Sequence, residues 1–189
     1  NCAAVVHSPK APIESYYRVN HRLTIDNAIK ARKKGDRLFI QMSTIAVYGM
    51  QSYIDKSTIE KPNSHYARSK LLADKRLQTL ESEGFKTLII RPPMVYGALD
   101  APGNMIKLIR LVEKGWPLPF ARNKNKRQFL NINNLVAILD ELIEKEKTGI
   151  VIPADKKYIS TRELIDIIAE KLNKKPRLFH LPGQGFMIK

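Results

Sequence analysis

Two short apolar runs constrain this chain more than any other feature. "RLFIQ" (Arg37–Gln41) and "TLII" (Thr87–Ile90) lack the alternation of a strand with one wet face. Strands of a parallel sheet, covered on both faces, read this way. Each run follows a stretch with helical spacing. In "ESYYRVNHRLTIDNAIKARKKG", Tyr17, Leu23 and Ala28 fall along one side and Gly35 is a natural stop. A second helix, from about Ser64 to Glu83, is expected to turn Leu71, Leu72, Leu77 and Leu80 inward, with Gly84 behind it. Pro92 and Pro93 end the second strand. Strands separated by helices imply an α/β chain with a parallel sheet and crossover helices.

Beyond Gly97 the texture changes. "GNMIKLIRLVEKG" is an amphipathic helix and "WPLPF" is extended and proline-restricted. "RQFLNI" reads as a short strand, "NNLVAILDELIEKEKTG" as a helix, and "GIVIP" as a strand. "STRELIDIIAEKL" opens on a capping box, Ser160 with Glu163. This half is expected to form a smaller lobe, with strand segments returning to the sheet.

Composition enters mainly through charge. Lys and Arg number 33 against 18 Asp and Glu, a formal net charge of +15. Such an excess favours a polyanionic partner: nucleic acid, an anionic membrane or a phosphorylated small molecule. The plain alternative is a solvated basic surface. "KARKKGDR", "ARNKNKR" and "KLNKKPR" lack an accompanying groove-reading motif or stacking aromatic set, so nucleic acid is not the expected partner. The single cysteine, Cys2, makes no internal disulfide, which fits a reducing compartment. No apolar run approaches membrane-spanning length. The start at Asn1, inside "CAAVV", suggests a fragment or a processed product.

The candidate chemistry lies in "STIAVYGM" and "HYARSK". Tyr66 and Lys70 are four residues apart on the expected helix and share a face. A phenol titrates near 10, so it exchanges protons near neutrality only if a neighbour such as an ammonium favours the phenolate. Ser43 and Thr44 fall at the carboxyl end of the first strand, where ligands gather in open α/β sheets. A lone Tyr-x-x-x-Lys is commonly a packed tyrosine and a solvated lysine, and a strand-end Ser-Thr is often only a turn. The ordered set carries more: strand, S-T-x-x-V-Y-G, polar loop, Y-x-x-x-K on a helix, strand, R-P-x-x-V-Y-G.

That set resembles the extended short-chain dehydrogenase/reductase family, the nucleotide-sugar epimerases, dehydratases and reductases. "NCAA" is similar to the end of the family's fourth strand, "NHRLT" to its Asn-Val-x-Gly-Thr, and "RQFLNINNL" to its Arg-Asp-Tyr/Phe-x-His-Val-x-Asp-Leu. His21, Leu23 and Asn134 depart from those patterns. The resemblance implies a partial Rossmann-like doubly wound parallel sheet, its N-terminal strands missing, over residues 1–97. It implies a mainly substrate-binding α+β lobe over residues 98–189. Thr44, Tyr66 and Lys70 become the catalytic residues. Ala3, Ala4, Ser43, Tyr66, Lys70, Pro92 and Pro93 would contact NAD or NADP, and Thr44, Asn104 and Arg127 the substrate, with no metal. Arg127 would hold the diphosphate of a nucleotide-diphosphate sugar, a UDP-sugar, in a cytoplasmic enzyme of surface-polysaccharide precursor synthesis.

Met94 stands where many 4-epimerases have asparagine, which points to a 4-keto reductase, with a 4-epimerase as the enzymatic alternative. A dehydratase commonly carries Asp-Glu after the catalytic Ser/Thr, where this chain has Ile45 and Ala46. The family's G-x-x-G-x-x-G turn, which cradles pyrophosphate, is not among the nine glycines; Gly183 and Gly185 sit in a proline-flanked tail. The expectation is therefore an N-terminally truncated chain, inactive alone and self-associating through the open side of its sheet. A basic nucleic-acid binder and a non-catalytic regulator on the same fold are the alternatives from other classes.

Overall fold

A computed structural model describes residues 1–6, 11–55, 57–98 and 104–180. Gly183 and Gly185 lie outside the described residues. The chain divides into two compact units, residues 1–93 with 134–154, and residues 94–133 with 155–189. The first break precedes Met94, four residues short of the expected boundary after Gly97.

The first unit is built on a parallel three-stranded sheet, the expected α/β class. Its strands are β1 (Leu38–Met42), β2 (Lys86–Ile90) and β5 (Gly149–Val151), in the order β1-β2-β5. Phe39 pairs with Thr87 and Gln41 with Ile89, while Ile89 pairs with Ile150 on the other side. The N-terminal segment lies along the outer edge of β1: the Asn1 ammonium donates to Ile40 O, and Met42 N donates to Asn1 O at 3.1 Å. β2 is buried at every position after Lys86, as its unbroken apolar run predicts. β1 differs. Phe39 and Gln41 are buried, but Leu38, Ile40 and Met42 are half-exposed. Among the described residues, one face of β1 is packed and the other partly open.

The first helical stretch is a composite: α1 (Ile13–Ser15), a π-helix (Tyr16–Leu23) and α2 (Thr24–Lys33). The wider turn of the π-helix re-phases the packed face. Tyr16, Asn20, Thr24 and Ala28 are buried at a spacing of four, whereas Tyr17 is half-buried and Leu23 exposed. The expected stripe of Tyr17, Leu23 and Ala28 assumed an uninterrupted α-helix. Gly35 does end the helix, with φ of 87°. α3 (His65–Gln78) begins where Ser64 Oγ accepts a hydrogen bond from Ala67 N at 3.2 Å. It buries Leu71 and Leu77; Leu72 is 45 % exposed and lies off the packed face. Ile25, Ala28, Phe39, Leu77 and Phe85 form one apolar cluster, and Val47, Tyr48 and Leu71 another.

The second unit holds a two-stranded parallel sheet, β3 (Met94–Tyr96) with β4 (Phe129–Asn131). Its core joins α4 (Asn104–Glu113) to α6 (Thr161–Lys171) through Leu108, Val112, Ile165, Ile168 and Ala169, with Leu118 and Phe120 between them. Both bonds of the Ser160–Glu163 capping box are formed. α5 (Ile132–Glu144) leaves this unit and carries the chain back to β5.

Candidate active site

β1 continues its ladder past its last residue. Ser43 N donates to Ile90 O at 2.7 Å and Ile45 N to Pro92 O at 3.0 Å, so the Ser-Thr corner is pinned to the chain leaving β2. Thr44 is extended and caps a short 3₁₀ turn (Ile45–Tyr48), its Oγ1 accepting from Ala46 N at 3.2 Å. Gly49 closes the turn with φ of 73°, and a Cβ there would lie 2.2 Å from Lys61 O. Only glycine fits, which explains the last position of S-T-x-x-V-Y-G. On α3, the Lys70 ammonium is almost fully buried and donates to Met42 O at 2.8 Å. One turn earlier on the same helix, the Tyr66 phenol lies near enough to the Thr44 side chain to be acted on by it. Thr44, Tyr66 and Lys70 thus meet at the carboxyl end of β1.

The electrostatics differ from the sequence reading at one point. Burial raises the Tyr66 phenol above its ordinary value; the Thr44 side chain opposes this and the Asp74 charge adds to it. A lowered phenol was expected because an ammonium lies one turn away. Desolvation of the phenolate prevails instead. Burial also lowers the Lys70 ammonium, while Asp74 and Cys2 hold it up.

Asp74 and Arg91 anchor a buried network behind the three residues. The Asp74 Oδ2 accepts from Ser43 Oγ at 2.8 Å and from Arg91 Nε at 3.0 Å. Arg91 NH1 donates to Tyr48 Oη at 2.8 Å and to Glu60 Oε1 at 3.1 Å, and the guanidinium carbon lies 5.1 Å from the centre of the Tyr48 ring. Burial pushes Asp74 up to about 6, against the pull of Arg91, Ser43 and Lys70. The arginine of R-P-x-x-V-Y-G and the tyrosine of S-T-x-x-V-Y-G therefore bind each other. Ser43, expected at the cofactor, spends its hydroxyl on Asp74.

A second network supports Tyr66 from the π-helix. The fully buried Asn20 accepts from Val5 N at 2.8 Å and donates to Val5 O at 3.0 Å and Ser69 Oγ at 3.1 Å. Ser69 in turn donates to Tyr66 O at 2.8 Å. The Tyr16 ring meets Tyr66 edge-on at 6.5 Å, and Tyr17 Oη lies 3.1 Å from His65 Nδ1.

The NAD dependent epimerase/dehydratase family model matches residues 1–152. The chain belongs to that family. A UDP-glucose 4-epimerase of Vibrio cholerae is 33 % identical over 186 residues, covering 92 % of this chain and 56 % of the relative. An N-acetyl-alpha-D-glucosaminyl-diphospho-ditrans,octacis-undecaprenol 4-epimerase of Escherichia coli O157:H7 is 25 % identical over 178 residues, covering 91 % and 54 %. Among solved structures, UDP-glucuronic acid 4-epimerase from Bacillus cereus, in complex with NAD, matches with a TM-score of 0.82 at 21 % identity, over 95 % of this chain and 60 % of that one. The chain spans about half the length of the curated relatives it matches.

The remaining residues that the family pattern picks out are divided between the two units. Ala3 is exposed and Ala4 half-buried. Pro92 is buried with its carbonyl on Ile45 N, and Pro93 is half-buried beside it. Asn104 and Arg127 belong to the second unit. Asn104 is the exposed first residue of α4. Arg127 pairs through its backbone with Ile159, at 3.0 Å in both directions; its half-buried side chain has no hydrogen-bond or ion-pair partner among the described residues. Sequence reasoning did not pick out Asn20, Asp74, Arg91 or Glu60 as site residues. Asn20 and Arg91 stood within quoted motifs, whereas Asp74 and Glu60 carried no signal beyond their charge.

Proposed function

We propose that this chain carries the catalytic portion of an NAD(P)-dependent enzyme acting at C4 of a nucleotide-diphosphate sugar. The observation that carries the reading is the Lys70 ammonium fixed on Met42 O at the end of β1, with Tyr66 one turn before it on the same helix and the Thr44 side chain acting on its phenol. Tyr66 would exchange its proton with the sugar O4, and Thr44 would hydrogen-bond the same oxygen. With its phenol raised, Tyr66 rests protonated and is set to donate to a C4 carbonyl. Among the described residues, one of the three Lys70 donors is taken, by Met42 O. The others are assigned to the ribose of a nicotinamide dinucleotide. The nicotinamide, when bound, supplies hydride to C4 or accepts it.

Of the two reactions left open by the motifs, the names of both curated relatives favour 4-epimerisation over net 4-keto reduction. Arg127 is proposed to take the substrate diphosphate, because its planar fork suits two phosphate oxygens and its side chain has no partner among the described residues. Without a glycine-rich turn in the sequence, the chain alone is expected to bind NAD and NADP weakly, and through the nicotinamide end.

The test is protein-observed NMR with UDP-glucose and NAD or NADP added separately and together. Thr44, Tyr66 and Lys70 signals should shift, and Arg127→Ala should weaken the UDP-glucose effect while sparing that of the dinucleotide. Shifts that map away from Tyr66, or none at millimolar ligand, overturn the reading. Appearance of the C4 epimer without net NAD(P)H consumption would select the epimerase over the reductase.

A further inference from the structure

We propose that Asp74 is a positioning residue for the Tyr66–Lys70 pair, a buried carboxylate that ties the ends of β1 and β2 to α3 and supplies the counter-charge of Lys70. The inference rests on reading Thr44, Tyr66 and Lys70 as the reacting cluster.

Three observations carry it. Asp74 lies one helical turn beyond Lys70, so both side chains leave the same face of α3. Both are buried, Asp74 completely and Lys70 at 2 % exposure. The direct partner of Lys70, Met42 O, is uncharged, and a buried ammonium needs more than a neutral carbonyl. Second, the groups alternate in sign. Glu60, from the loop before α3, pairs with Arg91 beyond β2; Arg91 pairs with Asp74; Asp74 acts on Lys70. The row starts at partly exposed Glu60 and ends beside Tyr66. Third, Asp74 Oδ1 is buried and accepts no hydrogen bond among the described residues. That oxygen carries charge not taken up by any hydrogen bond, and an unpaired buried acceptor costs about 1–3 kcal/mol. An amide could still accept from Ser43 and Arg91 through one oxygen, but without the charge that pairs with Arg91. Neutral asparagine would not hold Lys70.

The groups facing this row are Ser43 at the end of β1, Arg91 past β2, Tyr48 of the 3₁₀ turn, Glu60 of the loop, Lys70 on α3, and Cys2 of the N-terminal segment near Lys70. Burial already places Asp74 near 6. As it takes a proton on the acid side, the row loses its central charge. Lys70 then loses its counter-charge, and Tyr66 loses the negative charge that raises it. The site would accordingly lose its working charge pattern below about pH 6.

The experiment follows the Asp74 carboxyl carbon, the Lys70 ε-carbon and the Tyr66 ring by NMR through a pH titration of the ligand-free chain. In the wild type, Lys70 and Tyr66 should each show a secondary inflection at the midpoint of Asp74. In Asp74→Asn, that inflection should vanish, and the Lys70 midpoint should fall by ~1 unit or more, with Tyr66 falling in the same direction. A folded Asp74→Asn with an unmoved Lys70 overturns the proposal, as does a wild type without the shared inflection. If Asp74→Asn does not fold, Ser43→Ala decides. It keeps the charge and removes one donor, so the Asp74 midpoint and the Lys70 inflection should rise together. Independent movement overturns the proposal. All of these readings are made without ligand, so their failure is separable from UDP-glucose shifts that map away from Tyr66.

Discussion

The two units bury different things. The first buries Asn20, Thr24, Gln41, Ser43, Ser69, Lys70, Asp74, Thr87 and Arg91, among them three charged groups. The second buries one polar side chain among its described residues, Thr161, around an apolar helix pair. Buried charge is costly, and a buried ion pair is often no more stabilising than apolar packing of equal volume. Its concentration behind Tyr66 and Lys70 therefore marks the place where geometry and charge matter more than stability. Among its described residues, the second unit relies on cheaper devices: leucine, isoleucine and valine packing, one capping box, and one ion pair that stays in solvent.

The largest test of this contrast is Arg91→Ala. It strips Asp74 and Glu60 of their directly bonded cation, and should destabilise the chain by about 3–5 kcal/mol in urea unfolding, the cost of breaking a buried ion pair from one side. A loss below about 1 kcal/mol would erase the distinction between the units.

The next is pH. The folded chain holds Asp74 near 6, above the ordinary carboxylate value of 3.8, so folding favours its protonated form. That contribution is full below about pH 4 and is lost as pH rises to about 6. Two units at about 1.4 kcal/mol each make roughly 3 kcal/mol. Unfolding of the wild type and Asp74→Asn, compared at pH 4 and pH 7, should show the wild type losing ground by that order. A difference that is constant with pH would refute the burial-driven shift.

Ser160→Ala, in the second unit, removes the side-chain half of the capping box and should cost about 1 kcal/mol. Hydrogen exchange should rise in α6 and not in α3. Smallest of all, Arg162→Ala removes an ion pair to Asp166 whose side chains are 40 % and 44 % exposed. The expected loss is about 0.3–0.5 kcal/mol, diminishing with added salt. An effect comparable to Arg91→Ala would mean that the second unit also depends on its charges.

What the sequence determined by itself is local. The apolar runs marked β1 and β2, Gly35 marked the end of α2, and Ser64 and Ser160 marked the helix starts, because each signal acts over at most a turn or two. The meeting of Thr44, Tyr66 and Lys70 was legible for the same reason: helix spacing puts Tyr66 and Lys70 on one face, and a parallel sheet gathers strand ends. The rest was decided by tertiary structure. The π-helix, which moved the packed face from Tyr17 and Leu23 to Tyr16, Asn20 and Thr24, has no local code here. Its buried amide is held by Val5 and by Ser69, 49 residues away. The partners of Arg91 lie 17, 31 and 43 positions distant, in Asp74, Glu60 and Tyr48. Ser43 reads as a site hydroxyl until α3 brings Asp74 against it. A helical period or a cap is fixed by bonds between near neighbours. The partner of a buried charge is fixed by which elements the fold presses together, and that choice is made only once the sheet has formed.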